Sequence, residues 1–219
     1  MLTGPAAEGK PIACIYCRGR MIVDIIITGL INGSTYALLA IGFSLIFGVA
    51  RIVNIAHTAF YMVASFCIFT ATGRLGLHPI YGMIAGIVIV TVLGVISYKI
   101  FIAPIREHEA VVLIATIAMA IALQETMMIL FSGAYRSVPP LVPGYATIMG
   151  AKVFYQHLVT FGSVIVILAG LQFFLKNSKL GLAIRATAQD REVANLMGMN
   201  EGQVATLTVA ISLALAAFT

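Results

Sequence analysis

Charge is what this 219-residue chain has least of. Asp, Glu, Lys and Arg make up 10% of it and tryptophan is absent, whereas an ordinary soluble domain is about one quarter charged. Against that scarcity stand 61% hydrophobic residues and a mean hydropathy of +1.05. A chain of this size leaves much of its surface in contact with its surroundings, so this composition excludes water as its main solvent. Three cysteines give no disulfide framework. Cys67 lies inside an apolar run, and Cys14 and Cys17 form one C-x-x-C with no second pair or nearby histidine, too little for a zinc or redox site. The four histidines show no H-E-x-x-H or related spacing, so no metal and no other cofactor is expected. G-x-x-x-x-G-K-[ST] is also missing, and the chain itself is not expected to bind ATP.

Long apolar runs are what the chain does have. They extend over Ile22 to Val49, Ala56 to Thr72, Ile80 to Ala103, Val111 to Phe131 and Leu158 to Leu175, and a sixth covers Val204 to Thr219. Most are near the ~20 residues that cross hydrocarbon as a helix and too long for barrel strands. The 20 glycines and 10 methionines suit helices packed closely in a bilayer. The expected fold class is all-α, a polytopic transmembrane helical bundle over residues 21–219. Pro104 closes the third run. The sixth run reaches only about 24 Å as a helix, short of a ~30 Å core, so the domain is expected to be incomplete at its C-terminus.

The connection over residues 176–203 is unlike the others. It carries Lys176, Lys179, Arg185 and Arg191, and Leu180, Ile184, Ala188 and Met197 recur at roughly helical spacing on a partly apolar face, the side of a short amphipathic helix expected to lie against the membrane domain. Placed in the cytoplasm, it brings Arg51 and Arg106 to the same side and leaves Arg74, Arg136 and Lys152 outside, the bias that orients membrane proteins. The net charge of +5 therefore serves topology, and no nucleic-acid partner is expected. This orientation puts the N-terminus outside, where Lys10, Arg18 and Arg20 fit poorly. Residues 1–20 have no apolar core of a signal peptide, and are read as a disordered leader or a mis-called start ahead of Met21. Outside, Ser137, Pro139, Pro140, Pro143 and Gly144 predict extended and turn structure, with Thr147 to Val153 as one strand of a small hairpin.

Polar residues within the runs are the candidates for function. Thr28, Asn32 and Tyr36, spaced by four, share one face of the first run, with Gly29 and Gly33 beside them as a G-x-x-x-G. They line a polar passage or pack against a neighbouring helix. Asn54 and His57 are three apart at the start of the second run, where Asn54 can cap the exposed amides. Gln124 and Glu125 stand about 9 Å below the outer end of the fourth run, at the mouth of a pathway or bonded within the bundle, since a buried carboxylate needs water, a partner or a proton. No residue is a catalytic candidate.

These motifs, taken in order, resemble a known family. Gly29, Asn32, Gly33, Ser34, Tyr36, Ala37 and Leu38, followed by Gly42 and the segment from Phe47 to His57, look like the opening of the permease subunits of branched-chain amino acid ABC importers, G-x-x-x-G-S-x-Y-A-L and then N-x-A-H. Thr58 and Ala59 depart from that pattern. The match resumes at Pro104 to Arg106 and is fullest over SKLGLAIRATAQDREVANLMGMN, Ser178 to Asn200. There Gly181, Arg185, Ala186, Asp190, Ala194, Leu196, Gly198 and Asn200 fall on the family's cytoplasmic coupling loop.

The resemblance implies an ABC importer permease with a cytoplasmic coupling helix, in the inner membrane of a bacterium. Its partners would be a second homologous permease, two cytoplasmic ATPase subunits that hydrolyse the ATP, and a periplasmic or extracellular solute-binding protein. Permeases for urea and short amides share much of the pattern and remain an alternative. A membrane structural or assembly subunit with no solute path is another.

Overall fold

A computed structural model of the chain describes residues 11–74, 76, 78–132, 144–148 and 151–219. The leader expected over residues 1–20 falls partly outside them and partly on the first turns of helix α1, Pro11–Ala50. Pro11 suits a first helical position, where its missing N–H costs nothing. The side chains of Cys14 and Cys17, and all of Arg136, lie outside the described residues.

Helix α2 covers Ala56–Gly73 and α3 covers Pro79–Ser97, opened by Pro79 and by His78, whose Nδ1 accepts from the Ile80 amide at 3.4 Å. The third run does not stop at Ser97. It widens into a π turn, Tyr98–Ile102, and tightens into a 3-10 turn, Ala103–Ile105. Pro104 supplies the reason, since its ring would clash with the carbonyl four residues back in a regular helix. Helix α4, Glu109–Phe131, ends on Ser132 in the left-handed region, and Arg51 ends α1 in the same way.

Strands β1, Tyr145–Ile148, and β2, Ala151–Phe154, pair antiparallel, with Ile148 opposite Ala151. The segment Thr147 to Val153 thus holds the end of one strand and most of the next, rather than a single strand. Its seven residues exceed what either four-residue strand of this ribbon holds. Helix α5, Tyr155–Asn177, follows, then α6, Lys179–Gln189, α7, Arg191–Leu196, and α8, Glu201–Phe218.

Among the described residues five helical stretches are long and apolar enough to cross a membrane: Ile22–Ala50, Pro79–Ile105, Glu109–Phe131, Tyr155–Asn177 and Glu201–Phe218. The expected second span, α2, is short and interrupted by His57, Thr58, Tyr61 and Ser65. Of these His57 is buried, while Thr58, Tyr61 and Ser65 stay exposed; the opposite face of α2 packs against α3, α4 and α8 and buries Phe60, Val63 and Ala64 in the main core. Small residues bring α2 and α3 together. A Cβ at Gly82 would lie 3.2 Å from that of Ala71, and one at Gly86 3.4 Å from the Ala64 carbonyl, the close approach that replaces hydrophobic driving force inside lipid. Gly94 packs directly on Leu213 of α8. Gly29 and Gly33 pack on nothing within 4 Å.

The two ends of the bundle differ in charge. Arg191 of α7 meets both the end of α1 and the start of α8, so Arg51, Arg106, Lys176, Lys179, Arg185 and Arg191 share one end, the inner one by the bias of basic residues. At the other end Phe131 of α4 stacks on Phe66 of α2, ring centroids 4.5 Å apart, with the Arg74 guanidinium 5.8 Å from its centroid. This is a multi-pass membrane protein.

Candidate functional site

The residues singled out in the sequence do not converge on one site. Thr28, Asn32 and Tyr36 lie on the outward surface of α1, with Tyr36 70% exposed. Gln124 and Glu125 are exposed on α4, whose inward stripe is Val112, Thr116 and Ala120. Asn54 and His57 are instead buried at 2% and 1% exposure. Asn54 does not cap α2. Residue 55 occupies the cap position in helical geometry, and the Asn54 main-chain carbonyl, not its side chain, receives the His57 amide at 3.3 Å. The chain enters α2 already turning, so the amide group of Asn54 points into the core, where Oδ1 has no hydrogen-bond partner among the described residues.

His57 sits at a three-helix junction. Its imidazole lies beside Gly42 of α1, which also faces the Ser212 main chain of α8, with the Phe43 ring edge-on at 6.4 Å. It leans toward the main chain of Leu39 without a hydrogen bond of good geometry. Among the described residues no three His, Cys, Asp or Glu side chains sit together as metal ligands would.

Toward the outer end, α2, α3, α5 and α8 line a half-open cleft of about 430 Å³. Tyr61, Ser65, Gln156, Thr160 and Ser163 give it a polar side, and Ile68, Met83 and Val164 an apolar one. Mixed lining of this kind suits a small solute with a polar head and an apolar body.

The inner end carries α6 and α7, and three capping side chains shape them. Ser178 Oγ accepts from the Gly181 amide at 2.8 Å, Asp190 Oδ1 from the Glu192 and Val193 amides at 2.9 and 3.1 Å, and Asn200 Oδ1 from the Gln203 amide at 3.2 Å. Each stands immediately before a helix, which is the sequence signal of a cap. Asp190 thereby divides the expected single coupling helix into two. Replacing it by alanine should cost about 1 kcal/mol of local stability, seen as faster amide exchange in residues 191–196.

Gly198 turns the chain toward α8 at φ +83, a conformation that costs a side chain. Gly181, Ile184, Thr187 and Ala194 face inward, whereas Leu180 and Met197, expected on the packed face, are exposed. The reason is Gly181, which lies so close to the end of α5 that it sets which side of α6 turns inward. Ala186 is half-buried beside Arg185. Arg185 is exposed and, among the described residues, donates a long bond, 3.4 Å, to the Lys176 carbonyl.

Leu182, Val193, Leu196 and Met197 consequently stand exposed, the last two at 86% and 77%. Exposed apolar side chains of this kind on α6 and α7, with the exposed Arg185 on α6, form the sort of surface that another protein covers. A profile of the family described as "Branched-chain amino acid transport system / permease component" matches residues 25–219. The chain belongs to this permease family.

Among the permease's relatives is the high-affinity branched-chain amino acid transport system permease protein BraD of Pseudomonas aeruginosa. It is 32% identical over 206 residues, covering 88% of this chain and 67% of BraD. LivH of Escherichia coli K12, named for the same transport system, is 31% identical over 203 residues, 86% of this chain and 66% of LivH. The chain thus spans about two thirds of the length of these relatives. A probable LivH of Methanocaldococcus jannaschii is 25% identical over 185 residues, 78% of this chain and 56% of that protein. No solved structure matches the permease.

One grouping at the inner end was not anticipated. Glu201 meets Arg191 at 2.9 Å and Arg106 at 3.4 Å. Arg106 belonged to a matched motif, but nothing in linear order ties residues 106, 191 and 201 together.

Proposed function

We propose that this permease is a membrane subunit of an ATP-driven importer for branched-chain amino acids in the bacterial inner membrane. It would work beside a second homologous permease, two cytoplasmic ATPases and an external solute-binding protein. The observation that carries the reading is the exposed surface of α6 and α7, which includes Leu182, Arg185, Val193, Leu196 and Met197. Its sequence resembles the family's coupling loop, and its exposed apolar side chains suit a docking surface. The names of the relatives favour branched-chain amino acids over urea or short amides, and no observation favours a purely structural subunit.

The solute path follows from polar groups that lipid would penalise. Thr28, Asn32 and Tyr36 on α1, and Gln124 and Glu125 on α4, are exposed at depths where an unsatisfied amide or carboxylate is costly. We assign them to surfaces facing the second permease and the passage between the two. Asn54 and His57, buried within this chain, are assigned to packing of the pathway wall.

The test is uptake of labelled leucine and of labelled urea by the reconstituted assembly. Leucine accumulation that depends on ATP is expected, and accumulation of urea alone, or of neither, would overturn the reading. Arg185→Ala should lower ATPase stimulation by loaded binding protein roughly fivefold, the weight of ~1 kcal/mol for one exposed charged contact. Membrane insertion and thermal stability should stay unchanged, because among the described residues Arg185 makes one long bond, 3.4 Å, to the Lys176 carbonyl.

A further inference from the structure

Glu201 is the first residue of α8, and its carboxylate is only 17% exposed. Oε1 receives Arg191 Nη1 at 2.9 Å from the first position of α7 and Arg106 Nη1 at 3.4 Å from the residue that closes the 3-10 turn after α3. Arg191 uses its second arm as well, with Nη2 donating to the Val49 carbonyl at 3.0 Å. That carbonyl belongs to the last turn of α1, where main-chain oxygens lack intrahelical partners and a cation also complements the helix dipole. Tyr98, buried in the π turn of α3, lies within electrostatic reach of all three charged groups. One carboxylate therefore gathers the inner ends of α1, α3 and α8 and the start of α7.

The chemistry of the pieces suits a rigid joint. A guanidinium is a planar fork that can hold two acceptors in fixed directions, which an ammonium cannot. Arg191 bridges two helices in that way, while Asp190 beside it caps α7. The charges are partly buried, so each depends on the others: removing the carboxylate leaves two guanidiniums facing each other with less water than either needs. By contrast, α7 has little apolar packing of its own, with Ala194 its one buried residue.

We infer that Glu201, Arg191 and Arg106 form an inner clasp that makes α6 and α7 move as one body with α1, α3 and α8. Glu201 and the two arginines are positioning residues. This rests on the reading of α6 and α7 as the ATPase-docking surface. If that surface is pushed by the ATPases, the clasp is what carries the displacement into the membrane, and without it the surface would yield locally.

Two measurements separate the clasp from the function. The first is amide exchange by mass spectrometry on the purified chain in nanodiscs, which needs no partner. Glu201→Gln should raise exchange over residues 179–196 roughly tenfold, as expected for losing a partly buried charged contact. Arg191→Lys should give an intermediate rise, since a lysine can keep Glu201 or Val49 but not both. The second is solute moved per ATP hydrolysed in the reconstituted assembly, where Glu201→Gln should retain ATPase binding but lose at least about half of that ratio.

Unchanged exchange in Glu201→Gln and Arg191→Lys would overturn the clasp. Raised exchange with an unchanged ratio would overturn its part in coupling. If the wild-type assembly moves no solute, the proposed function fails while the exchange measurement still decides the clasp. If Glu201→Gln does not fold, Arg191→Lys and Arg106→Gln decide it, and unchanged exchange in both would overturn it.

Discussion

Gly181→Ala should unfold the inner corner of the molecule. A Cβ at this position would lie 2.5 Å from the Leu175 Cα and 2.6 Å from the carbonyl oxygens of Leu175 and Phe174. All three are main-chain atoms at the end of α5, so none can swing aside as a side chain would. Either α6 lifts away from α5 or the last turn of α5 opens. Overpacking of this kind costs about 1–3 kcal/mol where neighbours can give way, and the upper end, about 3 kcal/mol, is expected here. Ser178 would also lose its bond to the Gly181 amide, 2.8 Å long.

The midpoint of thermal unfolding in detergent and the rate of proteolysis between residues 176 and 203 both report this. The comparison is Gly170→Ala on α5, where nothing lies within 4 Å of the added methyl and better helix propensity should gain about 0.5–1 kcal/mol. If Gly181→Ala melts with the wild type, α6 is not held against α5 in the way described.

Gly181 also shows what a sequence can and cannot disclose. The resemblance placed it in the coupling loop, and the apolar runs lie within a few residues of the helical stretches Pro79–Ile105, Glu109–Phe131, Tyr155–Asn177 and Glu201–Phe218, whereas α1 begins well before its run, at Pro11. Long apolar runs have few alternatives in lipid, where every main-chain group must be bonded internally. What linear order could not give was orientation about each helix axis. Leu180, Ile184 and Ala188 made a plausible packed face by spacing, yet the close approach at Gly181 turns Gly181, Ile184 and Thr187 inward and leaves Leu180 and Leu182 outside.

The same limit applies to Asn54. A capping residue type in a capping position is a sound sequence signal, but the link from Arg51 to Ile55 enters α2 in helical geometry, and Thr116 of α4 reaches across to the Val53 carbonyl at 3.4 Å. Tertiary contacts thus direct the Asn54 side chain inward. The clasp was hidden for a related reason, since residues 106, 191 and 201 become neighbours only when the turns after α3 and the starts of α7 and α8 meet at one level of the bundle.

The second large effect is expected at His57, through packing and not through its charge. A methyl added at Gly42 would sit 3.1 Å from Nε2 and 3.3 Å from Cε1 of His57, and 3.2 Å from the Ser212 carbonyl oxygen. Gly42→Ala should therefore press α1 away from α2 and α8, at about 2 kcal/mol. His57→Ala empties a site that is 1% exposed and should cost about 3 kcal/mol, in the range for losing a buried ring. The double variant distinguishes this account from two unrelated losses. The methyl that Gly42→Ala introduces enters part of the space that the imidazole leaves, so the combined cost should fall short of the sum by about 1 kcal/mol or more, as for residues in contact. Denaturation of the four proteins, wild type included, in one detergent gives the cycle. Strict additivity would mean that Gly42 and His57 do not meet, and that the junction of α1, α2 and α8 is held by something other than this contact.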